Sequence, residues 1–476
     1  MKMNRFKYIL LLIVISTNIY GRPVNGTVSS GSLKISGVVV TDGTNFTKTD
    51  KYGKFILDIS EKSDFVYIIT PSGYTAKRVE GISQFYKKIE QNTNTLNFEL
   101  IQFEKSTEFV LIAVGDPQTK TVDQYNRFEN TVLPDIKKTS SLYAKNNIPV
   151  IVLYLGDVVW DTMSLFENHK KGINQLGIPV YSAIGNHDYE KELTGDKECS
   201  KAFSKCFGPT YYGFNLGNNY FIVLDNIIYD TNKKYVEELD QQQIDWVKEY
   251  AKFIPSGSNI IISMHAPINK FWVKNYQISK GHTQLMEILK DYNLRFITGH
   301  IHINSNIEVK PGIVEHNVAS SCGAWWNSYY APDGTPSGYQ VFEFNSAKTE
   351  WYFKSINKDR DFQMELYTRG FFPENPNAIV AKIWNWDPQW RVEFFEDGIL
   401  AGEMTRFNST DPSYRKAMEE RIKEGKITQA EFERSNYLMP RMSYFYFAAV
   451  PKLNTKKITV VATDRFGRKY SDTINL

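Results

Sequence analysis

The stretch LYLGDVVWD (Leu153–Asp161), followed after a helix-like spacer by IPVYSAIGNHDYE (Ile178–Glu190), decides how this chain reads. Each half is an apolar run that stops at a glycine and then at a cluster of Asp, Asn or His. Buried strands of an open α/β sheet end this way, and sites in such sheets form outside the carboxyl ends of the strands. A glycine ahead of the polar cluster lets the backbone turn sharply off the strand.

Two more apolar runs end alike, and a third ends directly at a histidine with no glycine before it. Phe109–Val114 leads into GDPQ (Gly115–Gln118), Ile260–Met264 into His265-Ala-Pro, and Phe296–Thr298 into GHIH (Gly299–His302). Helical spacing over Asp123–Asn146, Leu165–Leu176, Asp240–Phe253 and Thr283–Tyr292 alternates with these runs, which predicts a layered α/β domain with all five clusters on one edge. Four of the seven histidines of the chain fall in the clusters, a concentration that chance does not supply. Asp, Asn, Gln and His together are hard-to-borderline donors suited to divalent first-row metals. There are too many donors for one ion. A carboxylate such as Asp157 can bridge two ions about 3.5–4 Å apart, a pair able to acidify water and clamp an in-line displacement at phosphorus.

The rest of the chain frames this domain. A length of 476 residues predicts two to four domains. Short strands with turn signals over residues 22–102 predict an N-terminal β-sandwich, 101–107 a connector, and alternation from residue 359 onward a third, mostly β domain ending at 476. The middle domain is expected to span 106–358. A net charge of +3 without a block of like charge argues against a nucleic-acid partner. The start, MKMNRFKYILLLIVIST, has a basic end and an apolar run shorter than the roughly 20 residues a spanning helix needs. It predicts a signal peptide over 1–21 and hence a periplasmic or secreted protein with no integral membrane segment after its removal. Cys199 and Cys206 lie about 10.5 Å apart if ECSKAFSKCF is one straight helix, beyond bridging range, so a disulfide between them requires a break in that helix.

The order GDxQ, GDxxxD, GNHD, MH, GHxH resembles the calcineurin-like metallophosphoesterase superfamily. The flanks, with SGVVVTDG and TDKYGKF on one side and IWNWDPQWRVEFFEDG and ATDRFGRKY on the other, resemble a three-domain bacterial subgroup. The resemblance implies a four-layer α/β fold, a β-sandwich core with outer helices between the two β-domains. It implies hydrolysis of a phosphorylated substrate by hydroxide on two divalent ions. A phosphomonoesterase or protein-phosphatase-like activity is favoured over a phosphodiesterase, and a non-catalytic glycan- or peptide-binding module is the distant alternative. By position, Asp116, Gln118, Asp157 and His302 would hold one metal, and Asp157, Asn186, His265 and His300 the second. His187 would protonate the leaving oxygen or steady the phosphoryl group, and Asp188 would orient His187. Family members usually carry His at the place of Gln118. An amide oxygen is a harder and weaker ligand than imidazole, so Mn or Fe is expected over Zn. Trp160 stands where purple acid phosphatases carry a tyrosine ligand, so no tyrosinate-to-iron colour is expected.

Outside the clusters, His169 reads as a solvated helix residue, His282 as a cap and His316 as a core histidine. Trp325, soon after GHIH, is expected near the pocket mouth, stacked on an apolar part of the substrate. Trp384, Trp386 and Trp390 alternate as packing residues do.

Overall fold

The structure is a computed structural model that describes residues 21–103, 108–229, 234–270, 273–274, 276–345, 348–435 and 437–476. The expected leader lies outside these residues except for Gly21, and so does the 104–107 part of the expected connector. Among the described residues no helix is long and apolar enough to cross a membrane.

The middle of the chain is two packed sheets with helices outside. The first sheet has the order Val180–Ala183, Val150–Leu155, Phe109–Val114, Gly338–Phe344, Thr349–Ser355, with the first three strands parallel and the last two closing it antiparallel. The second has the order Tyr212–Leu216, Asn219–Val223, Asn259–Ser263, Asn293–Thr298, Ile313–Asn317, Ser305–Lys310, and its four inner strands are parallel. Both faces of each sheet are covered, which is why the strands read as unbroken apolar runs. Leu111, Ala113, Leu153 and Ala183 share a core with Phe221 and Phe296 of the opposite sheet, while Val110, Ile112, Val152 and Tyr154 pack under the helices Val122–Ala144 and Phe166–Leu176. Helices Gln241–Ala251 and Lys280–Ile288 cover the other outer face through Ile244, Val247, Leu285 and Met286. These are the four layers expected.

A β-sandwich precedes the core. Its two sheets are built around Arg22–Ser30 and Val39–Thr41, and it packs on the core through Phe46 and Tyr67 against Trp246 and through Phe85 against Tyr212. From Glu365 onward two further four-stranded sheets enclose Ile379, Ala381, Val392, Ile458 and Val460. Between the strands Thr405–Ser409 and Ser443–Ala449 this part carries the helices Pro412–Lys423 and Gln429–Arg434. Their Tyr414 and Met418, with Ile427 and Leu438, form one apolar cluster with Ala324 and Trp325 of the core.

One detail was left open by the sequence, and one differs from its reading. The helix around Cys199 does break, at Ser200 between Asp196–Cys199 and Lys201–Phe207, yet all three cysteines are free and buried. The Cys206 thiol instead meets the Phe166 carbonyl at 3.8 Å, on the core side of its helix. His169 is fully buried rather than solvated. Its Nε2 lies 2.8 Å from the Thr119 hydroxyl, its ring packs on Tyr125 and Phe128, and burial lowers its pKa to about 3.

Candidate metal centre and active site

The five polar clusters meet where the carboxyl ends of both sheets converge. The chain crosses between the sheets here: the Ser321 N–H donates to the Gly115 carbonyl at 2.7 Å, which brings the Ser320–Trp326 loop against the first sheet. Gly115 permits this, because a Cβ there would sit 2.9 Å from the carbonyls of Val318 and Ala319. Gly185 is tighter still, with a would-be Cβ 2.2 Å from the Asp157 nitrogen.

All seven residues expected to be metal ligands come together. The amide of Gln118 donates to Asp157 Oδ2 at 2.9 Å. His265 Nε2 lies 3.1 Å from Asn186 Oδ1, 3.3 Å from Asp157 Oδ1 and 3.0 Å from His300 Nδ1. The other His265 nitrogen, Nδ1, is 2.7 Å from the Leu155 carbonyl, which holds the ring in the tautomer that frees Nε2. His302 Nε2 is 3.4 Å from Asp116 Oδ1, and Asp116 Oδ2 accepts from the His300 N–H at 3.0 Å. Asp157 therefore sits between two donor groups, Gln118 on one side and His265 on the other.

The donors fit divalent cations. Asp157, His265 and His300 offer ligand atoms within 4.8 Å of one another. Gln118 Oε1 is buried with no hydrogen-bond partner, and Asp116 Oδ1 has only His302 Nε2, at 3.4 Å. A buried polar atom left unpaired costs about 1–3 kcal/mol, a cost that a bound cation would remove. Charge supports the same reading. Burial alone would raise the Asp157 carboxyl, but His265, His187 and His300 hold it well below the usual range. Against the burial penalty, Asp157 pushes His265 up to about 9 and Asp116 pushes His302 up to about 10.

Backbone strain gathers at the same place. Among the described residues twelve that are not glycine have positive φ, and eight of them are here: Asp116, Gln118, Asp157, Asp161, His300, His302, Trp325 and Trp326. Such conformations are rare for these residue types and persist only where the surroundings impose them.

His187 stands beside the cluster. Its N–H donates to Asp157 Oδ1 at 2.8 Å, and its ring Nδ1 lies 2.9 Å from Asp161 Oδ1. Lys191 Nζ is 2.6 Å from the same Asp161 oxygen. Asp188 does not orient His187. Its buried carboxylate accepts from the N–H groups of Val158, Val159 and Gly185 at 3.0–3.2 Å, because the chain turns back on itself within GNHD. Burial and then the Asp157 charge raise its pKa, to about 8. Asp161, within the opening stretch, takes the place expected of Asp188. Three further participants were not identified in the sequence. Glu237 Oε1 is 3.4 Å from His300 Nε2 and its other oxygen 2.7 Å from Lys270 Nζ. Arg441 donates to the Ile301 carbonyl, inside GHIH, at 2.6 Å. Tyr437 meets Trp160 and Trp325 edge-on. Trp325 itself stacks on His302 with ring centroids 4.4 Å apart.

Three family descriptions match consecutive parts of the chain: N terminal of calcineurin-like phosphoesterase over residues 22–102, calcineurin-like phosphoesterase over 109–304, and C terminal of calcineurin-like phosphoesterase over 315–470. No curated protein matches the chain. Among solved structures it is similar to a dimetal phosphatase from Danio rerio, with 11% identity over 52% of this chain and 97% of that one and a TM-score of 0.37. A 5′-nucleotidase from Candida albicans shares 14% identity over 52% and 50% of the two chains at a TM-score of 0.33. The purple acid phosphatase PPD1 from yellow lupin seeds shares 13% over 73% and 66% at 0.34. These likenesses are weak and the assignment rests on the family matches, which run from residue 22 to residue 470 in the order of the three-domain subgroup. The chain belongs to the calcineurin-like phosphoesterase family, with that family's own N-terminal and C-terminal domains, and is a metal-dependent phosphoric ester hydrolase.

Proposed function

We propose that this protein is an exported dinuclear phosphoesterase, with a phosphomonoester favoured as substrate. The observation that carries the reading is the convergence of seven donors from five loops, with the buried Gln118 Oε1 left without a hydrogen-bond partner. Asp116, Gln118, Asp157 and His302 would hold one ion, and Asp157, Asn186, His265 and His300 the other. The amide at Gln118 favours Mn or Fe over Zn there. Bound ions would supply Lewis acidity that acidifies water and neutralises charge on the phosphoryl oxygens.

The remaining chemistry falls to side chains of the chain. With Nδ1 held by Asp161, His187 presents Nε2 to the substrate and donates a proton to the leaving oxygen. Asp161 and Lys191 fix that ring, while Glu237 fixes His300 in the manner of a carboxylate behind a metal-ligating histidine. Asp188 ties the GDVVWD loop to the GNHD loop, and so holds Asp157 and Asn186 in register. Export, to the periplasm or beyond the cell, rests on the basic and apolar start of the chain.

The test is a metal-supplemented screen of phosphomonoesters and diesters with Asp157→Ala as the control. Wild type should hydrolyse monoesters in a metal-dependent way, and Asp157→Ala should lose both turnover and bound metal. Undiminished turnover in Asp157→Ala would remove the bridging role from the scheme. Faster turnover of diesters would transfer the assignment to a phosphodiesterase.

A further inference from the structure

We infer that the leaving-group side of this site is an aromatic subsite, built jointly by the core and the C-terminal part of the chain, that selects phosphate esters whose leaving alcohol carries an aromatic ring. The inference rests on the hydrolase reading above and specifies its substrate class.

Three rings make the subsite. Trp160 lies 5.4 Å from His187, 6.1 Å from Trp325 and 5.4 Å from Tyr437, and Tyr437 lies 4.9 Å from Trp325. The cluster thus spans from the proton donor on one side to His302, under Trp325, on the other. Lys120 Nζ, 5.3 Å over the Trp160 ring, keeps a cation beside it.

The rings are held in place by their surroundings. Trp325 and Trp326 both have positive φ, at 48° and 65°, a strained pair of bulky residues that only a packed loop sustains. The loop is pinned by the Trp326 indole donating to the Pro117 carbonyl at 3.0 Å and by Arg127 donating to the Trp326 carbonyl at 2.5 Å. From the other side, Leu438 is buried and its carbonyl accepts from the Tyr414 hydroxyl at 2.7 Å.

The competing reading is that these rings only glue the C-terminal part to the core. Leu438, Tyr414, Met418 and Ile427 already do that, each buried. Tyr437, next to buried Leu438, keeps 40% of its surface exposed while touching two rings of the site. Exposure alone does not set Tyr437 apart, since Met439 is 42% exposed; what sets it apart is the contact of its ring with two rings that lie beside His187 and His302. An amphipathic ring, half open and fixed at a catalytic mouth, is suited to stacking on another ring.

The test compares 2-phenylethyl phosphate with ethyl phosphate, whose leaving alcohols differ little in acidity. In metal-loaded wild type, kcat/KM for the aryl ester should exceed that for the alkyl ester about tenfold. Tyr437→Ala should bring this ratio close to one, and Tyr437→Phe should retain it. In parallel, 2-phenylethylphosphonate and ethylphosphonate are titrated calorimetrically, and their dissociation constants should differ by a similar factor in wild type and converge in Tyr437→Ala. Equal constants in wild type, or a ratio that survives Tyr437→Ala, overturn the subsite. If neither ester is turned over, the phosphomonoesterase reading fails, and the phosphonate ratio alone decides the subsite.

Discussion

Asp161, rather than the sequence-adjacent Asp188, should govern the proton donated by His187, and leaving-group dependence can separate the two. Asp161 Oδ1 lies 2.9 Å from His187 Nδ1, whereas Asp188 accepts from three backbone N–H groups. The Asp161 side chain is 41% exposed, so solvent screens it and the pair is worth about 1 kcal/mol, or roughly fivefold in rate. Loss of ring orientation adds to this, since removing the partner of a working histidine costs tenfold or more where it has been measured. Asp161→Asn should therefore slow an alkyl phosphate about ten- to thirtyfold. It should slow 4-nitrophenyl phosphate less than about threefold, because nitrophenolate leaves without needing a proton. His187→Ala should show the same pattern enlarged, on the order of a hundredfold or more on the alkyl ester. Asp188→Asn should act on stability, lowering it by about 1–3 kcal/mol as buried N–H groups lose their acceptor, and should leave the ratio of the two esters unmoved. Steady-state kinetics on both esters, with denaturant melts of each variant, give every quantity needed. If Asp188→Asn reproduces the leaving-group pattern of His187→Ala and Asp161→Asn does not, the assignment is wrong.

Other consequences follow from the same geometry. Metal uptake near neutral pH should release about two protons, because His265, at about 9, and His302, at about 10, hold protons that a divalent ion must displace; calorimetry in buffers of different ionisation enthalpy counts them, and zero release would refute the charge arrangement. Buried His169 titrates at about 3 in the folded protein, so its unfolded form takes up a proton first as pH falls. The stability this residue supports is complete above about pH 6.5 and should fall by roughly 2 kcal/mol between pH 7.5 and pH 5, a loss that His169→Gln should remove from urea melts. Gly185→Ala places a methyl 2.2 Å from the Asp157 nitrogen and should lower activity on the order of a hundredfold, with reduced metal content; a fully active variant would show that the two loops can separate. Cys199, Cys206 and Cys322 are free, so three thiols should react in denaturant without reductant, and one thiol would instead indicate a bridge.

How much of this was legible follows from how each residue earns its position. The middle strands could be read because both faces of each sheet are buried: Leu111 points to the opposite sheet and Ile112 to the helices, so no polar residue interrupts the run. The glycines at 115, 156, 185 and 299 then mark where four of the five runs end and a donor begins. His169 was misjudged although its helix signalled it. Phe166, His169, Ile173 and Leu176 recur at helical spacing, and the face they define is buried. Asp188 misled because adjacency in sequence is not adjacency in space; a tight turn returns its carboxylate to the Gly185 N–H and leaves Asp161 at the imidazole. Glu237 lies on a three-residue strand, Tyr235–Glu237, too short to show any period, and Tyr437 reaches Trp325 only once the C-terminal helices have docked.

The left-handed residues carry this argument one step further. A φ of 40–75° is costly for any residue with a Cβ, least so for Asn, Asp and His, and Asp116, Gln118, Asp157, His300 and His302 all occupy that region. The disagreement between local preference and observed backbone is itself the signal, and it falls on five of the seven metal-ligand candidates. Trp325 shares it, at 48°, though no metal donor is available on an indole. Its ring stacks on His302 and also belongs to the apolar cluster with Tyr414, Met418 and Leu438, so the strained Trp325 loop ties the site to the C-terminal part of the chain.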